Sequence, residues 1–404
     1  HPIARNETVG YGPRMRKTHT VIVGAGSSGA VLAARLTEQS DVEVLLLEAG
    51  PDYTPDALPS DLANGRQNAV ISHDWRFNHR PNPAMQVLPL PRGRVVGGSG
   101  AVNTCIALRG EPEDFDEWAD LGHTEWAWEH CLPYFRKLER DLDFGETEQH
   151  GGRGPLPVRR HPEEEWAPWQ AAFVDAAQEL GFPRMHDTNV PHATGVGSHA
   201  MNKLGGRRIS PAEAWLTPSV RARANFTLQD QTHCHRVLFE GDRATGVVVE
   251  RHGRVETIEA DRVLLCAGAI GTPGILVRSG IGPKADLQAM NIPLVRDLPV
   301  GERLLDHPGN GMFFLPSRKL HVSIHDPLIQ TVLLTKVGDG PWPNDIQIQA
   351  ASTLPTRYQT FPGLGLVLTL PKPKSIGRLR FVSADPHRRP VIDTQLNTHP
   401  DDHA

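Results

Sequence analysis

The chain has 404 residues, more than one ordinary domain holds, so two domains or one domain with large insertions are expected. Apolar residues at 39% and charged residues at 22% suit a globular protein with a real core, and 38 glycines with 35 prolines make it loop-rich without reaching a disordered composition. The net charge of −5 argues against a nucleic-acid binder, and no apolar run approaches the ~18 residues that would span a bilayer.

Residues 1–15 read as a leader or linker, without the apolar centre of a secretory signal. Thr20-Val21-Ile22-Val23 then predicts a short buried strand. It runs into Gly24-Ala25-Gly26-Ser27-Ser28-Gly29, after which Ala30–Glu38 is rich in helix formers. A second apolar strand, Val42–Leu47, ends at Glu48, nineteen residues after Gly29. Strand, glycine turn, helix and strand followed by an acid is the pattern of a dinucleotide-binding unit. Gly24 permits the tight turn, and Gly26 lets a pyrophosphate approach the backbone. Gly29, with Ala33, lets the helix pack close to the sheet. The free N–H groups at the helix start hold phosphate, and Glu48 accepts hydrogen bonds from a ribose diol.

A second glycine-rich stretch spans residues 92–103, Arg92-Gly93-Arg94-Val95-Val96-Gly97-Gly98-Ser99-Gly100-Ala101-Val102-Asn103. The flanking valines look buried, so this reads as backbone pressed against a phosphate or a flat ring rather than as a mobile loop.

Helices are predicted at Glu113–Leu121, behind Pro112, and at Gln170–Leu180, with Gly181 as its stop. Ser210-Pro211-Ala212-Glu213 reads as a capping box with proline at the first helical position. Thr227–Glu240 and Ala244–Arg251 alternate as a hairpin or meander would. A third small-residue turn follows the strand Arg262–Cys266: Ala267-Gly268-Ala269-Ile270-Gly271-Thr272-Pro273, where Thr272 is expected to cap a helix that has Pro273 first.

Other residues read more plainly. The cysteines Cys105, Cys131, Cys234 and Cys266 are far apart, with no zinc-like spacing, so a reducing, cytoplasmic compartment is the default. His233 and His235 share a strand face, but with no third ligand near in sequence a solvated face is expected and no metal site is assigned. Trp118, Trp126, Trp128, Trp166 and Trp169 are expected in core or interface packing, and Glu163–Glu165 at a solvated helix start.

The three small-residue stretches together resemble the glucose–methanol–choline (GMC) oxidoreductases, a family of FAD enzymes. The match rests on GAGSSG at 24–29, RGRVVGGSGAVN at 92–103 and GAIGTPGILVRSGIG at 268–282. It is extended by RISPAEAWLTP at 208–218 and VGERLLDHP at 300–308, and by thinner similarity to about residue 396. The resemblance implies an α/β fold. A Rossmann-like FAD-binding domain, a parallel sheet with helices plus a β-meander, would occupy 16–310, interrupted by substrate-domain segments near 59–91 and 155–205. A second α+β substrate-binding domain would start at 311–404, apparently truncated at its C-terminus.

Carried over by position, Gly24, Gly26, Ser27, Ser28, Gly29, Glu48 and Ala49 would hold the ADP half of the cofactor. Val95, Gly97, Gly98, Ser99, Asn103, Thr104, Cys105 and Ile106 would lie along the pyrophosphate and flavin ring, with Thr104 beside the reactive nitrogen. The Cys234 backbone would meet the adenine, and Ala267 and Gly268 would touch the cofactor from the third turn. Val102 occupies the position where some members carry a flavin-linked histidine, so non-covalent FAD is expected. The family's catalytic histidine and its His or Asn partner belong to a C-terminal segment expected beyond Ala404, so the catalytic base is unassigned. His387, His399 and His403 are expected as exposed loop residues, and Asp306-His307 as a structural turn.

The implied activity is that of a choline dehydrogenase-like alcohol oxidase or dehydrogenase. A small alcohol would be oxidised to a carbonyl by hydride transfer to flavin, with oxygen, a quinone or another carrier taking the electrons. Three other functions fit some of the same features: an FAD-containing hydroxynitrile-lyase-like enzyme, an FAD-binding fragment inactive without a further lobe, and a nicotinamide-dependent dehydrogenase.

Overall fold

The computed structural model describes residues 18–317, 322–338, 342–355 and 360–402. The expected leader at 1–15, His403 and Ala404 lie outside them. The first sheet has six strands. Strand β1 (Thr18–Val23) leads through helix α1 (Ser27–Leu36) to β2 (Val44–Leu47), and β3 (Phe226–Gln229) lies beyond β2. Strands β4 (Thr232–Glu240), β5 (Arg243–Arg251) and β6 (Arg254–Leu265) complete it, and helix α2 (Gly268–Arg278) follows β6. The order is β3-β2-β1-β6-β5-β4. The pairs β3–β2, β2–β1 and β1–β6 are parallel, whereas β6, β5 and β4 form an antiparallel meander.

The strand sequences explain why this sheet is covered on both sides. Ile22, Val44 and Leu46 pack with Ala30, Ala33 and Trp215 on one face, while Val21, Val23, Leu45 and Leu47 pack with Val237, Val247 and Ile258 on the other. A parallel strand buried on both faces needs an unbroken apolar run, and the sequence supplies one in Val21–Val23 of β1 and one in Val44–Leu47 of β2. The small residues Gly29, Ala30, Ala33 and Ala34 are the buried stripe of α1. A β-carbon at Gly29 would sit 1.9 Å from the Gly24 carbonyl oxygen, so only glycine permits this helix to approach the turn.

A second, five-stranded antiparallel sheet is built from Gly309–Phe314, Leu364–Thr369, Ile346–Ala351, Thr331–Thr335 and Gly195–Ser198, in that order. Helix Pro168–Glu179 packs on it through Val174 and Ala177 against Val196 and Leu333. Buried Gln170 ties the two, donating to the Ala350 carbonyl at 2.8 Å and accepting from the Thr331 hydroxyl at 2.6 Å. The hairpin of Arg378–Arg380 and Val391–Asp393 joins the first unit instead, since Leu379 and Ile392 pack on Leu90 and Ile270.

Several local expectations shift. The helix predicted to start behind Thr272 begins at Gly268 and carries Pro273 inside it, and the Thr272 hydroxyl accepts from the Ala267 N–H at 3.1 Å. The capping box at 210–213 is half formed: Ser210 accepts from the Glu213 N–H, but the Glu213 carboxylate pairs with Arg207 at 2.8 Å. Thr227–Glu240 divides into β3 and β4, and only the latter belongs to the meander. Trp118 and Trp126 are not buried; they meet edge to face on the surface at 5.6 Å.

Candidate functional site

The three glycine-rich stretches meet at the C-terminal ends of β1, β2 and β6, the edge at which open α/β sheets bind ligands. Gly24, with φ of 100°, donates its N–H to the Leu47 carbonyl at 2.8 Å. A β-carbon on Gly24 would fall 2.5 Å from the Cys266 carbonyl oxygen, which places the first turn directly on the third. The second stretch closes from the other side. Gly97 donates to the Ala25 carbonyl at 2.8 Å, and a β-carbon on Gly98 would lie 2.7 Å from the Gly26 Cα. Val95 and Val96 are buried beneath, as their sequence context requires.

What this junction leaves open is as informative as what it closes. A β-carbon on Gly26 would meet only the Gly98 Cα, at an ordinary 3.7 Å, and one on Gly268 would meet nothing within 4 Å. Helix α1 starts without a side-chain cap or an acid in its first turn, and Ser27 and Ser28 are exposed. Bare backbone and the positive end of a ten-residue helix therefore face open space, which is what a pyrophosphate requires. The residues fit the cofactor that the sequence implies.

Glu48 is buried at the end of β2, and its two oxygens accept from the Ala25 N–H at 3.0 Å and the Gly50 N–H at 2.9 Å. Burial pushes its carboxyl up to about 7, against those N–H groups and the Arg94 charge. The acid expected to face a sugar thus also braces the glycine turn. Gly50 was not singled out in the sequence, yet a β-carbon there would sit 2.1 Å from the Arg94 carbonyl oxygen. Its place beside Glu48 and half-buried Ala49 was the available signal. Cys234 on β4 is packed in the core with its thiol pushed up to about 12 by burial, which suits the inert role expected of it.

Ser99 caps the second stretch, accepting from the Gly93 N–H at 3.1 Å. From there the chain leaves the junction. Asn103 is exposed and accepts from the Cys105 N–H at 3.0 Å, Thr104 is half-buried, and Ile106 bridges to Met201. Cys105 is fully buried in the left-handed region, φ 65°, a conformation that costs a non-glycine residue energy. This segment is held by Arg208, which is fully buried and donates to the carbonyls of Leu62, Gln67 and Asn103 at 2.6, 2.7 and 2.7 Å. A lone arginine gives no such signal in sequence.

The remaining histidines separate. His399 accepts from the Asp401 N–H on an exposed turn, and the His307 N–H bonds the Asp306 carboxylate at 3.0 Å, as a turn would. His387 is exposed as expected, but it stands beside His233 and His235, a neighbour the sequence did not reveal. The catalytic pair is expected beyond Ala404, and no base is assigned among the described residues, which end at Asp402.

The GMC oxidoreductase family model matches residues 18–309. The chain is 34% identical to 5-(hydroxymethyl)furfural oxidase of Methylovorus sp. over 95% of its own length and 74% of that protein. It is 41% identical to the oxygen-dependent choline dehydrogenase of Pectobacterium carotovorum over 79% of its own length, and so spans 57% of that relative. Pyridoxine 4-oxidase from Mesorbium loti has the same fold, with a TM-score of 0.86 at 30% identity over 95% of this chain and 77% of that one.

Proposed function

The chain belongs to the GMC oxidoreductase family, and from that premise we propose that it holds FAD non-covalently and serves the oxidation of a small alcohol to a carbonyl. The observation that carries the cofactor half is the apposition of Gly26 and Gly98 under the uncapped start of α1. The N–H groups of α1 would hold the pyrophosphate and Glu48 the ribose. The Cys234 backbone would meet the adenine, with Ala267 and Gly268 closing from the third turn. Val95, Gly97, Gly98, Ser99 and Asn103–Ile106 would line the flavin side, with Thr104 nearest the reacting face. Val102, buried and without a nucleophile, supports a non-covalent link.

When bound, FAD supplies the hydride acceptor for the alcohol carbon. The chain's own residues orient it and exclude water behind it. The names of the relatives point to small alcohols as the substrate class, and those of the oxidases and of the oxygen-dependent dehydrogenase to oxygen as one acceptor. A cytoplasmic location rests on the four unpaired cysteines. No helix among the described residues is long and apolar enough to cross a membrane.

Purified protein, reconstituted with FAD and freed of excess, is expected to show a flavin spectrum that bleaches on anaerobic addition of a primary alcohol. Retained flavin without bleaching by any alcohol would favour the lyase or binding readings. A colourless protein that takes up nicotinamide cofactor would overturn the proposal.

A further inference from the structure

Strand β4 alternates a core face and an outer face. Cys234 and its cross-strand partner Val249 point into the core, whereas His233 and the residue opposite it on β5, Glu250, lie on the outer face. A register shift between Cys234 and Arg236 keeps His235 beside His233, with ring centroids 5.4 Å apart. The turn between Arg378–Arg380 and Val391–Asp393 brings His387 onto the same spot, 5.5 Å from the His233 ring and 5.8 Å from that of His235. One ring nitrogen from each of the three lies within 4.8 Å of the others. Glu250 Oε2 stands 2.8 Å from His387 Nε2 and 3.2 Å from His235 Nε2. The second of these is an ion-pair contact without hydrogen-bond geometry, so His235 Nε2 is buried with no hydrogen-bond partner.

We propose that His233, His235 and His387, with Glu250 beside them, form a binding site for a divalent transition-metal ion of the zinc class. Three imidazoles and a carboxylate are a ligand set for such an ion, which would draw the nitrogens to about 3.4 Å apart around bonds of about 2.0–2.1 Å. His387 is the mobile partner in this contraction, because it sits on an exposed turn. His233 and His235 are rigid: Trp75 packs on the His233 ring at 5.5 Å, and the His235 carbonyl accepts from Arg278 at 2.6 Å. The charges of Arg278 and Arg94 lie near the rings and oppose a bound cation; Glu250 and Asp385, which faces Arg278, offset them. Because His233, His235 and Glu250 come from β4 and β5 and His387 from the 381–390 turn, the ion would clamp that turn to the meander.

The test is a zinc titration of tag-free, chelator-stripped protein by calorimetry, with thermal unfolding in parallel. One equivalent of zinc bound in the micromolar range or tighter, with a rise in Tm, is expected. His387→Ala, on an exposed turn that leaves the fold intact, is expected to weaken zinc at least about tenfold and to remove the Tm rise, with Glu250→Gln intermediate. A second cluster, Glu111, Glu113 and His192, serves as the control. The proposal fails if zinc does not saturate, if His387→Ala binds it as wild type does, or if the site is lost in Glu113→Gln instead.

Discussion

Arg208 donates from Nη2 to the carbonyl oxygen of Asn103 at 2.7 Å. The same side chain reaches Leu62 and Gln67, so one guanidinium fixes the 61–67 segment against the loop that follows the second glycine stretch. Among the described residues its bonded partners include no carboxylate; both Nη groups donate to backbone carbonyls, while Nε is buried without a hydrogen-bond partner. Arg208→Met is expected to leave these carbonyls buried and unbonded at about 1–3 kcal/mol each. Its thermal midpoint is expected to fall well below wild type, with flavin retention falling too. Arg208→Lys recovers only part, since an ammonium cannot reproduce the planar fork. A midpoint unchanged in Arg208→Met would show that the loop is held by other means.

Gly26 and Gly29 stand three residues apart and predict opposite phenotypes. A β-carbon at Gly29 collides with the Gly24 carbonyl, whereas one at Gly26 meets only the Gly98 Cα at 3.7 Å and otherwise points into the open junction. Gly29→Ala is expected to destabilise the protein itself. Gly26→Val is expected to fold near wild type but to purify colourless, because its methyl groups take the place of the pyrophosphate. Thermal unfolding in the absence of flavin and the absorbance of the purified variants separate the two effects. A yellow Gly26→Val would remove the pyrophosphate from this position.

The contrast marks what the sequence could tell. β1, α1 and β2 were legible because their signals are local: unbroken apolar runs, small residues at helical spacing and a glycine turn between them. The start of α2 was misread because a Thr-Pro pair looks like a helix cap, whereas the helix accepts Pro273 six residues in, losing one N–H bond to the Ala269 carbonyl. Glu48 was found, but not its two backbone bonds, since spacing gives the position of an acid and not its partners. His387 lies 152 residues beyond His235, and only the packing of its hairpin on Leu90 and Ile270 brings it back.

Glu48 gives the protein an acid-side pH signature. Its folded carboxyl titrates at about 7, against an ordinary value of 4.5. Between those values the unfolded chain has released a proton that the folded chain keeps, so stability falls as pH rises through this window and is flat above it. The full effect is on the order of 3 kcal/mol. Glu48→Gln is expected to abolish this slope in urea midpoints and to lower stability at the acid end, because one amide oxygen cannot serve both the Ala25 and Gly50 N–H groups. Ribose hydroxyls donating to the carboxylate favour its charged form, so flavin affinity of the wild type should rise with pH over the same interval. A slope identical in both proteins would place the titration elsewhere.

His150 predicts the alkaline limb. Its Nε2 lies 2.6 Å from Asp187, and its Nδ1 lies 2.9 Å from Glu139 and 3.2 Å from Asp141. Arg109 pairs with Glu139, and Arg160 with Asp141 and Asp187, in the same buried network. Burial alone would lower the imidazole, but hydrogen bonds to Asp141, Asp187 and Glu139 outweigh it and raise His150 from 6.5 to about 10. The same contacts hold Asp141 and Asp187 below the usual carboxylate range despite their burial. A base with a raised folded pKa contributes its full stabilisation below 6.5 and loses it as pH climbs through about 10, where the folded protein gives up its proton. His150→Gln removes the cation while keeping a side chain of similar polarity, and near neutrality it is expected to cost about 3–5 kcal/mol, the penalty for leaving buried carboxylates short of a partner. The stability gap between wild type and variant should therefore be widest in mildly acidic buffer and narrow steadily toward the alkaline end. A gap that stays constant or widens with pH would mean that His150 sits neutral in this network and that the two arginines alone balance its carboxylates.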